Sequence, residues 1–67
     1  MERAEYEILR SKFLKVIARV PENIRNNDIV AVVEGSPYTW NTALIEVKNG
    51  TKKGDRILKI LKEMEII

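Results

Sequence analysis

Hydrophobic residues recur every three or four positions along three stretches of the chain, and each stretch is typical of a helix with one apolar face. These positions are Tyr6, Leu9, Phe13, Val16 and Val20 in the first stretch, Trp40, Ala43, Leu44 and Val47 in the second, and Ile57, Leu58, Leu61 and Met64 in the third. The pattern predicts helices from about Glu2 to Arg19, from Trp40 to Lys48 and from Lys52 to Glu65.

The residues that flank these stretches supply the signals at which helices begin and end. Pro21 disfavours a helical conformation at Val20 and therefore ends the first helix at or before that residue. Thr39 and Thr51 can each accept a hydrogen bond from a free amide group at the start of a helix. Asn49-Gly50 provides the left-handed residue that ends a helix, so the last two predicted helices form a helix-turn-helix.

Residues 29–34, with the sequence IVAVVE, are rich in β-branched side chains and precede the turn sequence Gly35-Ser36-Pro37. They predict a short strand from Ile29 to Glu34. Because both faces of this strand are apolar, we expect it to be covered on both sides, by helices or by a second copy of the chain. Its backbone also requires a partner. Tyr38 and Thr39 can return as a minimal hairpin, and a strand of another chain can serve as well.

Two segments and one glycine admit a second interpretation. Tyr38 to Lys48 also alternates well enough for a long strand, but a helix explains more of its apolar positions. Pro21 to Arg25 can form one helical turn, whereas the residues from Asn26 to Asp28 favour a turn because their side chains bond their own backbone. Gly54 is explained by its place in the first turn of the last helix, which we favour, or by the close approach of another backbone.

Together these elements predict a helix-rich α+β fold that forms a single domain over residues 1–67. Three helices are expected, with one short strand or a minimal β-hairpin between the first and the second, in the order α-β-α-α. The expected core consists of Leu9, Phe13, Ile17, Val30, Val32, Leu44, Val47, Leu58 and Leu61.

The composition limits how such a fold is stabilised and where it works. A chain of 67 residues buries only about 60% of the surface that its unfolded form exposes. The absence of Cys excludes disulfides, and the absence of both Cys and His argues against a structural zinc site, which leaves efficient helix packing or self-association.

The longest apolar run, Ile29 to Val33, is too short to cross a bilayer. The N-terminus lacks the apolar core of a signal peptide, so we expect a cytoplasmic protein. Abundant Glu, Lys and Ile without Cys, His or Gln is also typical of thermophiles.

Catalytic chemistry finds little support in the sequence. Without His or Cys the chain lacks the usual base at neutral pH and the strongest intrinsic nucleophile. The glycines at 35, 50 and 54 match no phosphate-binding loop and no dinucleotide fingerprint. We therefore expect a protein without enzyme activity, cofactor or metal.

The last two predicted helices carry a cluster of basic residues, namely Lys48, Lys52, Lys53, Arg56 and Lys59. Lys52, Arg56 and Lys59 share one helical face, which could contact the phosphates of a nucleic acid. The order helix, strand, helix, helix resembles the first part of winged-helix DNA-binding domains, whose third helix enters the major groove. That resemblance covers topology and no residue motif, and the sequence up to Ile67 supplies no two-stranded wing. A solvated face is the simpler explanation, because the net charge is only +2 and Asp55 can pair with Lys59.

Protein interaction is the function that the sequence favours, because the chain has more large apolar residues than a domain of this size can bury. Tyr38 and Trp40 flank the turn at Pro37, where aromatic residues serve as binding anchors or as the lid of a small core. Ile66 and Ile67 either fold back on the first helix or form an exposed contact surface. We therefore expect a non-enzymatic interaction module that forms a homodimer or binds another protein through these four residues. Nucleic-acid binding is the alternative, and no membrane partner is expected.

Overall fold

A computed structural model describes residues 1–67 and contains four helices and one β-hairpin. The elements are α1 (Arg3–Ile17), α2 (Glu22–Asn27), β1 (Ile29–Val33), β2 (Ser36–Thr39), α3 (Trp40–Asn49) and α4 (Lys52–Glu63). The helix-rich α+β fold with a hairpin ahead of the last two helices is confirmed. The predicted ends shift by one or two residues: α1 and α4 end two residues earlier, β1 ends one residue earlier and α3 ends one residue later.

The short helix α2 is an addition to the three helices that the sequence predicts. Pro21 stands at its N-cap, and the helix continues through Asn26 and Asn27, for which we expected a turn. The side-chain amide of Asn27 donates to the carbonyl of Asn23 at 2.7 Å, and the amide of Asn41 in α3 donates to the side chain of Asn26. The asparagine side chains therefore stabilise this turn of helix and join it to α3, rather than ending it.

The partner of β1 is β2 of the same chain, which pairs with it in antiparallel orientation. The connection is a two-residue turn in which Glu34 has φ 53° and Gly35 has φ 81°. Positive φ at both central residues is the feature of a type I′ turn, whose twist matches that of the flanking strands. The hairpin is therefore formed within the chain, which settles the choice that the sequence left open.

Within the chain β1 is covered on one face only, so the helices do not enclose it, and cover of the other face by a second copy stays a prediction. The face that we assigned to the core is wrong. Ala31 and Val33 are buried, Val30 is half-buried, and Ile29 and Val32 are exposed. Ala31, Val32 and Val33 alternate regularly, and because both faces of the strand are apolar the sequence pattern does not show which one is buried. The β-bulge near Val30, where the register shifts between Ile29 and Ala31, explains why Ile29 does not share the buried face of Ala31 and Val33.

The helices α3 and α4 are capped as the sequence predicts. The Thr39 side chain accepts a hydrogen bond from the Thr42 amide, Gly50 ends α3 with φ 64°, and the Thr51 hydroxyl accepts from the Gly54 amide at 3.0 Å. These caps confirm a helix, rather than a long strand, after Tyr38.

Gly54 is buried where α4 crosses the end of α3. A Cβ atom at this position would lie 2.5 Å from the Glu46 carbonyl oxygen and 3.0 Å from the Val47 amide nitrogen. The alternative that we did not favour is therefore correct, because Gly54 allows two backbones to approach closely.

The core lies between α1, the α3–α4 pair and the inner face of the hairpin. Its buried members are Leu9, Phe13, Ile17, Ala31, Val33, Ala43, Val47, Ile57, Leu58 and Leu61. Leu44, which we expected in this set, is half-buried against it. The Tyr6 hydroxyl donates to the Val47 carbonyl at 2.5 Å and so fastens α1 to the end of α3.

Candidate protein-interaction surface

A groove runs between the outer edge of β1 and the exposed side of α4, and we call it the β1–α4 groove. It has a volume of about 290 Å³ and is lined by Val32, Val33, Glu34, Arg56, Lys59, Ile60 and Glu63. The four α4 residues follow from helical periodicity, because positions 56, 59, 60 and 63 share one side of the helix. The opposite side of α4 is buried through Ile57, Leu58 and Leu61.

Large aliphatic side chains are exposed in and beside this groove. Val32 is 57% exposed and Ile29, on the same strand, is 52% exposed. Ile60 is half-buried, and Met64, one helical turn further along, is 58% exposed. Pro37, opposite Val32 in the hairpin, is also exposed. The outer face of the hairpin thus continues into an apolar stripe of α4.

The two outer edges of the hairpin differ in their capacity to accept another strand. Val33 and Ser36 adjoin the turn and bond each other, so the next pair, Val32 and Pro37, directs its backbone groups outward. On β2 that outward position is a proline, which has no N–H and blocks strand addition. On β1 it is Val32, whose backbone has no hydrogen-bond partner outside the hairpin. Only the β1 edge, which borders the groove, is therefore open.

Charges of both signs line the β1–α4 groove. The Arg56 guanidinium lies 2.6 Å from a carboxylate oxygen of Glu34, so the two residues join the turn of the hairpin to α4. Lys59 pairs with Asp55 one turn earlier at 3.6 Å, as the sequence predicts. Glu63 takes part in no ion pair. These pairs are exposed to solvent, so each contributes little to the free energy of unfolding, and the carboxylate of Glu63 is free for another partner.

The four residues that we expected to bind a partner occupy two separate places. Tyr38 and Trp40 are half-buried against the core, where the Trp40 ring packs on Phe13 with a centroid distance of 5.9 Å. Ile67 packs against the core and lines a second groove along the end of α1, while Ile66 is exposed and lines none of the grooves. None of the three surface grooves is lined by Tyr38 or Trp40.

The five basic residues that we assigned to nucleic acid also divide into two groups. Lys48, Lys52 and Lys53 are exposed around the α3–α4 turn and take part in no ion pair. Arg56 and Lys59 line the β1–α4 groove and are paired with carboxylates. Of the α4 residues in this set, Arg56 and Lys59 are therefore paired with carboxylates of the same chain, whereas Lys52 and Lys53 are not.

Sequence reasoning missed the residues that form the groove, especially Val32, Glu34, Ile60 and Glu63. Two signals were present. A strand with two apolar faces in a chain this small leaves one face without helices to cover it. Arg56, Ile60 and Glu63 occur at i, i+4 and i+7, which places one apolar residue between opposite charges on a single helical stripe.

The fold and this surface define a small helix-rich α+β protein with one open sheet edge beside a groove that is lined by aliphatic and charged side chains. The chain matches no model of a protein family, and it shows no significant similarity to a curated protein or to a solved structure. None of the four helices combines the length and hydrophobicity that crossing a membrane requires.

Proposed function

We propose that this chain is a non-enzymatic protein-interaction module that self-associates through the β1–α4 groove and the adjoining open edge of β1. The observation that carries the proposal is Val32, which combines an exposed aliphatic side chain with an open backbone edge. Proteins normally protect such edges with proline, lysine or a covering element. Here β2 is protected by Pro37, whereas β1 has no proline or lysine, and its one irregularity is the bulge near Val30, which leaves the edge at Val32 open.

The size of the core supports the same proposal. Only ten hydrophobic residues are buried, while Val32, Ile29 and Met64 remain more than half exposed in one region. A two-stranded hairpin is marginally stable on its own and gains from further strands or from cover on its free face. Association at the open edge would supply a further strand for β1.

The experiment compares two substitutions in exposed aliphatic residues by sedimentation equilibrium. Val32→Glu places a carboxylate in the proposed contact, and Ile45→Glu is the matched control, because Ile45 is 56% exposed on α3 outside the groove. We expect the wild type and Ile45→Glu to dimerise alike and Val32→Glu to raise the dissociation constant at least about tenfold, since like charges then meet in the contact.

Two results would contradict this proposal. The first is a wild-type chain that stays monomeric at high concentration, and the second is a Val32→Glu variant that dimerises as well as the wild type.

Nucleic-acid binding is the second candidate, and the observation in its favour is the set of unpaired cations Lys48, Lys52 and Lys53. Contacts with phosphates release counterions, so such binding weakens steeply as salt is added. The same sedimentation runs with a DNA or RNA duplex at low and high salt therefore separate the two candidates. A monomeric chain that binds the duplex only at low salt would favour the hypothesis of nucleic-acid binding.

A further inference from the structure

We propose that the occupant of the β1–α4 groove is a second copy of the chain, related to the first by a two-fold axis that passes beside Val32 and Ile60. This inference rests on the proposed self-association and adds its geometry. Two copies related in this way would form one four-stranded sheet in the order β2-β1-β1-β2, with their α4 helices side by side beneath it.

The alignment of β1 with α4 allows one axis to serve both elements. The Arg56 guanidinium lies 2.6 Å from the Glu34 carboxylate. This contact shows which residue along the axis of α4 lies next to the end of β1. From Glu34 back to Val32 the strand covers about 7 Å, and from Arg56 forward to Ile60 the helix covers about 6 Å. Val32 and Ile60 also line the same groove. We therefore place them at the same position along the axis of α4, where both can adjoin the two-fold axis.

The strands meet the backbone requirement of this arrangement. The N–H and C=O groups of Val32 point outward at the β1 edge, as argued above. Two copies of β1 that pair about Val32 are antiparallel, and each Val32 then exchanges both of its backbone bonds with the partner's Val32. No other residue of β1 has to move, and the blocked β2 strands become the outer edges of the sheet.

The side chains on α4 are self-complementary about the same axis. In two antiparallel helices centred beside Ile60, Arg56 of one copy faces Glu63 of the other, and the reciprocal pair forms by symmetry. Glu63 has no ion pair within its own chain and lines the groove with Arg56. A self-complementary patch is what a two-fold interface requires, because each surface must fit its own copy.

The position of α4 next to the β1 edge makes the helix part of the same contact. β1 packs on both α4 and α3, whereas β2 packs on α3, so α4 lies on the β1 side of the hairpin. Because Ile60 of α4 lines the groove at this edge, a second copy that reaches Val32 also meets α4.

Cross-linking tests the strand pairing, and the chain is suited to it because it contains no cysteine. The variants are Val32→Cys and the control Ile45→Cys, each treated with an ethylene-linked bis-maleimide. We expect Val32→Cys to form a covalent dimer at least about tenfold faster than the control, because pairing raises the effective concentration of the two thiols. Equal rates in a chain that sediments as a dimer would overturn the two-fold arrangement and leave the proposed self-association standing.

Charge reversal tests the pairing of the helices. Arg56→Glu and Glu63→Arg should each raise the dimer dissociation constant about tenfold, because each replaces two attractive pairs by two repulsive ones. The double variant restores both pairs between the copies in reversed order and should bind more tightly than Arg56→Glu, although both variants lose the Arg56–Glu34 pair within each chain. The matched control is Lys62→Glu, which breaks the ion pair of Lys62 with Glu5 on another side of α4 and should leave the dissociation constant unchanged.

A double variant that dimerises more weakly than either single variant would overturn the α4 pairing. If the wild type is monomeric at every concentration, the proposed function fails together with this inference. If it dimerises and Val32→Glu disrupts the dimer while the cross-linking and charge-reversal results are negative, only the geometry fails.

Discussion

At the scale of single residues, the account depends on how Val32 differs from its neighbours. Val33 is buried against the core and bonded across the hairpin, whereas Val32, one position earlier, has an exposed side chain. The difference arises from strand geometry alone, because successive residues point to opposite faces and alternate between inward and outward backbone groups. Two adjacent valines in one strand therefore have separate roles, one in folding and one in contact.

Tyr6 makes stability depend on pH in the alkaline range. Burial raises the pKa of its phenol, and nearby Asp55 and Glu7 add to the rise while Arg10 opposes it. The unfolded chain therefore releases this proton at a lower pH than the folded chain, so the stabilisation is complete below about pH 10 and is lost as pH rises through the folded pKa.

We predict that Tyr6→Phe lowers the free energy of unfolding by about 1 kcal/mol at neutral pH, because the hydrogen bond to the Val47 carbonyl is lost. Above pH 10 the difference between wild type and variant should shrink, since ionisation of the unfolded wild type removes the advantage. Urea denaturation at neutral and alkaline pH measures this. A difference that stays constant or grows with pH would contradict the role of Tyr6.

At the scale of elements, the sequence predicted the parts that local chemistry determines. Helix periodicity, the threonine caps at 39 and 51 and the left-handed Gly50 are all read from a few adjacent residues, and they agree with the structure. The bulge near Val30 could not be read in this way, because register depends on how the whole hairpin sits on the helices. The same holds for α2, where a bond between Asn41 and Asn26 joins residues far apart in the sequence.

The contact between α3 and α4 depends on the missing side chain of Gly54. We predict that Gly54→Ala lowers the free energy of unfolding by about 2 kcal/mol, although alanine favours helix by about 1 kcal/mol. The added Cβ would meet the Glu46 carbonyl oxygen at 2.5 Å, so the backbones must separate.

Lys53→Ala is the control for this prediction, because it changes an exposed residue in the same helical turn and should shift stability by less than about 0.5 kcal/mol. Thermal or urea unfolding of the wild type, Gly54→Ala and Lys53→Ala measures these differences in the free energy of unfolding. A Gly54→Ala variant as stable as the wild type would show that the two helices can separate without cost.

At the scale of the whole molecule, the candidate site was less predictable than the fold. The sequence indicated a surplus of apolar residues and possible self-association, but it placed the contact at Tyr38, Trp40, Ile66 and Ile67. In the structure the aromatic pair is half-buried against the core, whereas the open edge and its groove lie elsewhere. The number of apolar residues indicates that some of them must be exposed. Which residues are exposed depends on how elements that are distant in the sequence pack against each other.

The size of the molecule sets the scale of the proposed dimer. The chain exposes 4470 Å², and a stable interface of ordinary size buries about 800 Å² per partner. That area is a little under a fifth of the surface, which the edge of β1, the β1–α4 groove and one side of α4 together would have to supply. The exposed charges at its rim are screened by salt, so we expect the apolar stripe to supply most of the affinity.

Amide hydrogen exchange of Val32, followed by NMR at several protein concentrations, tests the central claim most directly. In the single chain this amide has no partner, whereas in the proposed dimer it is bonded to the second copy. The amide of Val33 is the internal control, because it is bonded within the hairpin in both states. We predict that Val32 exchanges fast in dilute solution and becomes protected as the dimer forms, while Val33 stays protected throughout. Fast exchange of Val32 at concentrations where the chain is dimeric would contradict the claim that the open edge of β1 joins two copies.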